Sequence, residues 1–591
     1  MAAFRRDRGT VLVVVLVLGV MMAAFALASL LVSSAATRGA EAAILRGRAF
    51  FVASAGFEDQ CKGLRDMMSA AALGEPFKTF EALAGQHTIQ RRPLMSRGFT
   101  VGEYDVVIGS VQAVDVSNRD VSVIVTGAAP AFDHPQAVTR TISAVVRLGV
   151  GRSQVFDYVY FINNWGWYYG NTIIANGNVR ANGQFDFGGY ASTINGLPRF
   201  NDSSGGTFDD QVDDGGVYAG WNIVGSSRAR GTTSKPEHMH AFGEHLPMPN
   251  LTDLTPYEGM ARLNESSIKI GNETVCDGVV GDEDGEKSNL YLHGQKNKPI
   301  VLDGPVVVRG DLIIKGYVTG KGSFYVQGNI YVAGNVRYKN PIEPLPGKPD
   351  KESMTKWLTA NRKADALGLF AREHIIVGDY TDKYFQRYVG PWVRDKRNSS
   401  EEDAGEDGIP NTRPGRDGIL GTADDDILEN DGKWTVEHYT AQHARDGLIP
   451  EGSHIGEAIP GTGEDIDGDG KYDPGTQMTE FNTKAPLSRQ YWGGNFPQGV
   501  GHLKYKTICD NNHKINRLDG AFYTNHTFAM LTLDWGHDLN INGCLVSRNE
   551  AIVYGTKHAI LNYDLRLLEE GFGLQLPRTW KPLQLVMWRS N

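Results

Sequence analysis

Cysteine is scarce in this chain. There are four in 591 residues, at Cys61, Cys276, Cys509 and Cys544, and no two form a Cys-x-x-Cys pair. That spacing argues against a structural zinc site. In an exported chain an even count suggests disulfides, with three pairings open, beside the alternative that few or none pair. Also missing are Gly-x-Ser-x-Gly, a Walker loop, His-Glu-x-x-His and a Cys/His nucleophile pattern. The expectation is a protein that is not an enzyme. No basic face interleaved with aromatics suits nucleic acid. Residues 9–37 lack any ionisable side chain, and no other stretch approaches that apolarity.

That run follows the basic leader Arg5-Arg6-Asp7-Arg8. A helix of this length crosses a hydrocarbon core of roughly 30 Å at about 1.5 Å per residue. It exceeds the apolar region of a secretory signal, although Ser33-Ser34-Ala35-Ala36 has the composition of a cleavage site. As an anchor it would place the arginines in the cytoplasm and the rest outside.

The start Arg8-Gly9-Thr10-Val11-Leu12, followed by aliphatics, resembles a type IV prepilin. The resemblance implies processing between Gly9 and Thr10. Residues 46–58, with Arg46, Ala49, Phe50, Ala53, Ala55, Gly56 and Glu58, resemble the corresponding stretch of PilX-type minor pilins and pilus assembly proteins. Residues 156–167, 520–526 and 548–554 resemble, more loosely, the β-helical bodies of large members. Two positions depart from that pattern: Ser54 replaces the usual Glu, and Thr10 follows the proposed cut. Val14 stands where most major pilins carry a Glu that neutralises a neighbour's terminal amine. Its absence argues against a repeating shaft subunit. Ile44, Phe51 and Ala55 at helical spacing extend one helix to about Met67.

Glycine is abundant (70 residues), which favours turn-rich β structure. Glycines fall at 304, 310, 316, 322, 328 and 334, and an apolar residue stands two positions after each. A unit of Gly-x-apolar-x-apolar-x is a short strand with one inward face, and six make about two coils of a three-sided β-solenoid. The alternative is a set of antiparallel hairpins with glycine turns. Similar pieces at 177–187 and 539–546 imply one solenoid interrupted by insertions.

The expected fold class is therefore mainly β: an N-terminal transmembrane, pilin-like helix, a small α+β module, then an interrupted β-solenoid with loop insertions. The divisions are a leader (1–9), the membrane helix (10–37), the helix extension and module (38–150) and the solenoid (151–345). An inserted helix and acidic region (346–518) and terminal coils with a cap (519–591) follow. Within these, alternation predicts strands at 104–108, 121–125 and 141–146, a surface helix over 350–373, and a solenoid cap over 565–588.

The net charge of −10 belongs to two loops, 401–431 and 464–473. In the second, Asp465, Asp467, Asp469 and Asp473, with the carbonyl of Lys471, have the spacing of a calcium loop. Thr476 stands where an EF-hand has its bidentate Glu, so weak structural calcium binding is expected, against a solvated acidic turn. The looser run 417–426 is a second calcium candidate or an acidic loop. His238, His240 and His245 read as a surface loop before a metal site, and Asp209, Asp210, Asp213 and Asp214 as a polar loop before a catalytic cluster.

The resemblance implies a single-pass inner-membrane protein, N-terminus cytoplasmic and bulk periplasmic or extracellular. Its partners would be other pilins or minor pilins through the N-terminal helix, and a surface ligand for the body. The implied role is pilus or pseudopilus priming, tip structure or adhesion. Alternatives are a membrane-anchored, β-helical polysaccharide-degrading enzyme and a solenoid that polymerises end to end.

Overall fold

The computed structural model describes residues 7–70, 77–197, 215–281, 288–343, 351–390 and 496–590, less scattered gaps of one or two, and short pieces between 438 and 457. The chain divides into two compact units, Met1–Val150 with Trp580–Asn591, and Gly151–Thr579. It is mostly β, with a long apolar N-terminal helix, as the composition and glycine spacing imply.

In the first unit a 64-residue helix, α1 (Asp7–Ala70), lies on an antiparallel sheet of β1 (His87–Ser96), β2 (Phe99–Ala113), β3 (Asn118–Ala129) and β4 (Val138–Arg152). Alternate residues of the sheet (Val106 and Ile108, Val123 and Val125, Ile142 and Ala144) are buried against it, the period of two that a half-covered strand requires. The three expected strands lie inside β2, β3 and β4, and β1 is an addition.

The sheet has two more members, Arg578–Trp580 and Gln584–Ser590, from the other end of the chain. Gln584–Ser590 pairs antiparallel with β4, Leu585 opposite Val146 and Trp588 opposite Ala144. Trp588 packs edge-on against Phe57 of α1, ring centres 4.9 Å apart. The expected solenoid cap over 565–588 is thus corrected at its end. Only Leu565–Leu568 and the segment after it belong to the solenoid unit, which in chain order falls between the two stretches of the first unit.

The second unit is a three-sided solenoid. Ile300 pairs in parallel with Val318 and Leu312 with Ile330, each partner eighteen residues on, so three six-residue units make one turn. All six hexad glycines sit where a Cβ would collide with a neighbour. On face A the inward column is Val336, Leu518, Ile541, Leu561, Ala175 and Ile194. On face B it runs Val306, Phe324, Leu369, Phe522, Leu545, Tyr160, Val179 and Val217. Face C continues Leu290, Leu312, Ile330, Ile375, Phe528 and Ala551. Nearly all of these side chains are fully buried.

The coils do not stack in chain order. Those built from 290–563 lead to a final coil whose next neighbour is 160–176, which is followed by 179–194 and 217–231. The solenoid is circularly permuted: its first-made coils are placed beyond its last. An asparagine ladder on face A crosses the junction. Asn195 donates to Asn176 (2.7 Å), Asn176 to Asn562 (2.7 Å), Asn562 to Asn542 (2.9 Å) and Asn542 to Asp519 (2.6 Å). Pairing the two edges here removes the open strands that each would expose.

Residues 241–266 connect the far end back to the beginning by running along the trunk. Asn182 anchors Leu246 through both backbone groups, Tyr523 donates its hydroxyl to the Pro249 carbonyl, and Tyr257 stacks on Tyr325 at 3.8 Å.

The expected surface helix over 350–373 is shorter. Lys351–Asn361 is helical, with Trp357 donating to the Glu343 carbonyl, but Ala366–Ala371 is a coil strand on face B. Leu367 and Phe370 therefore belong to the trunk. Every residue of that strand is buried, which erases the alternation that would have marked it. The long insertion enters after Ile375–Val377, whose next coil neighbour is Phe528–Met530.

All four cysteines are unpaired thiols, which overturns the disulfide expectation. Burial pushes the Cys61 thiol up to about 11 and that of Cys276 to about 12, leaving little thiolate at neutral pH.

Candidate functional site

The helix α1 has two halves with opposite surroundings. Ala49, Val52, Ala53, Phe57, Cys61, Leu64 and Met68 recur at helical spacing and are buried against the sheet. Small residues permit the close approach: a Cβ on Gly56 would strike the Tyr104 ring, and one on Gly127 would strike the helix backbone at Ala49 and Ala53. The alanine-glycine pattern at 49–56 is thus the footprint of the helix on its sheet. Asp59 on the next turn accepts from Tyr104 (3.0 Å) and Arg92 (2.8 Å).

From Val13 to Val32 the same helix is bare. Phe25, Leu27, Leu30 and Leu31 are exposed, with Phe25 at 76%. Water disfavours so much apolar surface in one place, at about 25 cal/mol for each Å². It is the one helix among the described residues long and apolar enough to cross a membrane. Gly9 and Thr10 lie within its first turn, and Val14 is exposed one turn further on.

The calcium candidates Asp465, Asp467, Asp469, Lys471 and Asp473 lie outside the described residues, as do 401–431, Asp209, Asp210, Asp213, Asp214 and His245. Among the described residues no three His, Cys, Asp or Glu side chains converge as metal ligands. Of the histidine group, His238 is buried, and His240 is on a short strand stacked over Tyr218 at 4.5 Å.

Face C of the solenoid has an outer apolar layer that the sequence did not announce. Ile313, Tyr331, Ile376, Ala529 and Ile552 point outward and are buried beneath Tyr380, Phe385, Val389 and Tyr505, from the two ends of the long insertion. Tyr505 donates to the Gly378 carbonyl (3.1 Å) and packs on Tyr380, ring centres 4.7 Å apart.

Beyond this cover lies an aromatic group. The Trp167 indole donates to Glu550 (2.7 Å), Trp167 and Tyr169 have ring centres 5.0 Å apart, and Tyr169 lies 6.0 Å from Tyr190. Tyr169 donates to Asp186 at 2.7 Å. Burial raises the Glu550 carboxyl to about 8, partly offset by the indole hydrogen bond. The run Trp165-Gly166-Trp167-Tyr168-Tyr169 was the available sequence signal for this group. Only the coil stacking brings Asp186, Tyr190 and Glu550 beside it.

No family model matches the chain, and no curated protein sequence does. Among solved structures the chain is similar to the competence-associated pilin ComZ from Thermus thermophilus. The identity is 9% and the TM-score 0.26, over 93% of this chain and 97% of that one. Likeness at that level does not establish a shared fold.

Proposed function

We propose that this chain is a pilin-like subunit, of the PilX-type minor pilin or pilus-assembly kind, that carries a solenoid outside the membrane. The observation that supports it is the division of α1. One unbroken helix packs its second half on its own sheet and leaves the first half without cover. Such a half-helix suits lipid first and the flanks of similar helices afterwards. Val14 lacks the charge that pairs with a neighbour's terminal amine in a repeating shaft, and the inserted trunk is bulky. Both favour a priming or tip position over a shaft position. The N-terminus would be cytoplasmic and the bulk outside. The role is structural and adhesive, not enzymatic.

A photo-crosslinker in place of Leu27, in the full chain in its native cell, tests this docking. Adducts with other pilin subunits are expected, and adducts confined to lipid would reduce α1 to a plain anchor.

Calcium is part of the same proposal. Alternating carboxylates at 465, 467, 469 and 473 would gather oxygens around a hard cation and fasten the acidic insertion. The thermal midpoint should rise with millimolar Ca²⁺, fall with chelator and stop responding in Asp467→Ala. A response unchanged in that variant would leave the loop as a solvated acidic turn.

A further inference from the structure

We propose that the outer surface of face C carries a binding platform for uncharged polysaccharide, made by Trp167, Tyr169 and Tyr190 with the carboxyl groups of Asp186 and Glu550. The inference stands on the solenoid alone, whether or not α1 enters a fibre.

Three features carry it. First, the rings are displayed. Tyr169 is 48% exposed and Tyr190 40%, on the outward side of coils whose inward side is already full. Neighbouring rings are tilted by 41° and 33° and lean partly over one another, forming one contiguous aromatic group. Second, the rings are held. The Trp167 indole is fixed by Glu550 and the Tyr169 hydroxyl by Asp186. Asp186 also accepts the Gly188 amide (2.7 Å). Gly188 has φ 54° and leaves no room for a Cβ against the Tyr169 ring, so the turn that delivers Tyr190 is seated on Tyr169. A surface fixed before binding loses little side-chain entropy when a ligand arrives.

Third, the chemistry selects the occupant. Aromatic faces alone would suit a nucleobase, a protein side chain or a sugar. The acid in contact with Tyr169 is Asp186, 2.7 Å from its hydroxyl, and burial holds Glu550 largely protonated at neutral pH. The Asp186 carboxylate disfavours phosphates and uronates by like charge, and both acids present oxygens beside the rings. They accept hydrogen bonds well, and a neutral sugar offers hydroxyl donors around the rim of an apolar C–H face. A polymer of neutral sugars meets both demands at once, whereas single-stranded nucleic acid meets only the stacking one.

The test uses the full chain in detergent. Cello-, chito- and manno-oligosaccharides are titrated by calorimetry and by tryptophan fluorescence, with polygalacturonate and oligothymidylate as anionic probes. At least one neutral oligomer should bind. Tyr169→Ala and Tyr190→Ala should each weaken it about tenfold, the scale of losing an aromatic contact at the centre of an interface. Tyr169→Phe should retain most of the binding, and Leu263→Ala, at the exposed end of the helix Thr255–Leu263, all of it. Unchanged melting of the variants excludes unfolding as the cause. The proposal is overturned if no neutral oligomer binds, if both alanine variants bind as before, if the anionic probes bind as tightly, or if reducing ends are released with turnover.

Discussion

Arg566→Ala should lower the stability of the solenoid by about 3–5 kcal/mol, the usual cost of stripping one partner from a buried ion pair. The Arg566 side chain has no exposed surface, and that of Asp564 has 5%. Its guanidinium meets Asp564 through Nε (3.0 Å) and Nη2 (2.8 Å). The remaining donors reach the carbonyls of Asn361 and Ala364 (both 3.1 Å) and Asp365 (2.9 Å). Phe572 covers the guanidinium at 4.5 Å. One side chain thus ties the end of the trunk to the turn that follows the helix Lys351–Asn361. Truncation leaves a carboxylate buried and takes a donor from three carbonyls, of which that of Asn361 keeps the Ala364 amide. Urea denaturation of Arg566→Ala measures the loss. The double change Asp564→Leu with Arg566→Met should recover part of it, because no unpaired charge remains. A loss below about 1 kcal/mol in the single variant would show that water replaces the guanidinium at little cost.

Gly316→Ala should be nearly as damaging although it adds only a methyl group. Gly316 has φ 96°, which L side chains rarely adopt, and an added Cβ would run into the carbonyl oxygen of Gly294 on the adjacent coil. The obstacle is backbone, so no rotamer change relieves it. Strain at such a position costs of order 1–3 kcal/mol before the displaced coil is counted. A control is Gly259→Ala in the helix Thr255–Leu263, where an added Cβ meets nothing within 4 Å and should be tolerated or mildly stabilising. Equal melting temperatures for Gly316→Ala and the parent would contradict the coil packing described here.

These two residues also mark what was legible in the sequence. The hexad was, because a three-sided coil needs a corner every six residues and glycine suits corners where strands nearly touch. Gly316 and its five companions could therefore be read from spacing alone. The division of α1 was legible for a similar reason, since uncharged 9–37 and small-residue 49–56 serve different neighbours. The coil order was not. Asn562 and Asn176 look alike in any arrangement, and no local feature says that one lies on the other. Ala366–Ala371 was misread because burial on both sides removes the period of two, leaving an apolar run that fits helix or strand. The final strand escaped notice because Leu585 and Trp588 complete a sheet begun more than four hundred residues earlier. Arg566 is invisible as a site in a sequence, where an arginine is ordinarily a surface residue.

The measurement that bears most directly on the account is the mass of the mature N-terminus, taken on protein recovered from native membranes. A pilin-like subunit processed behind its basic leader should begin at Thr10 and keep the entire bare half of α1. A chain beginning near Ala36 would have lost that half as an export signal, and one beginning at Met1 would carry an unprocessed anchor. Either would contradict assembly through α1, while leaving the permuted solenoid and its sheet as described.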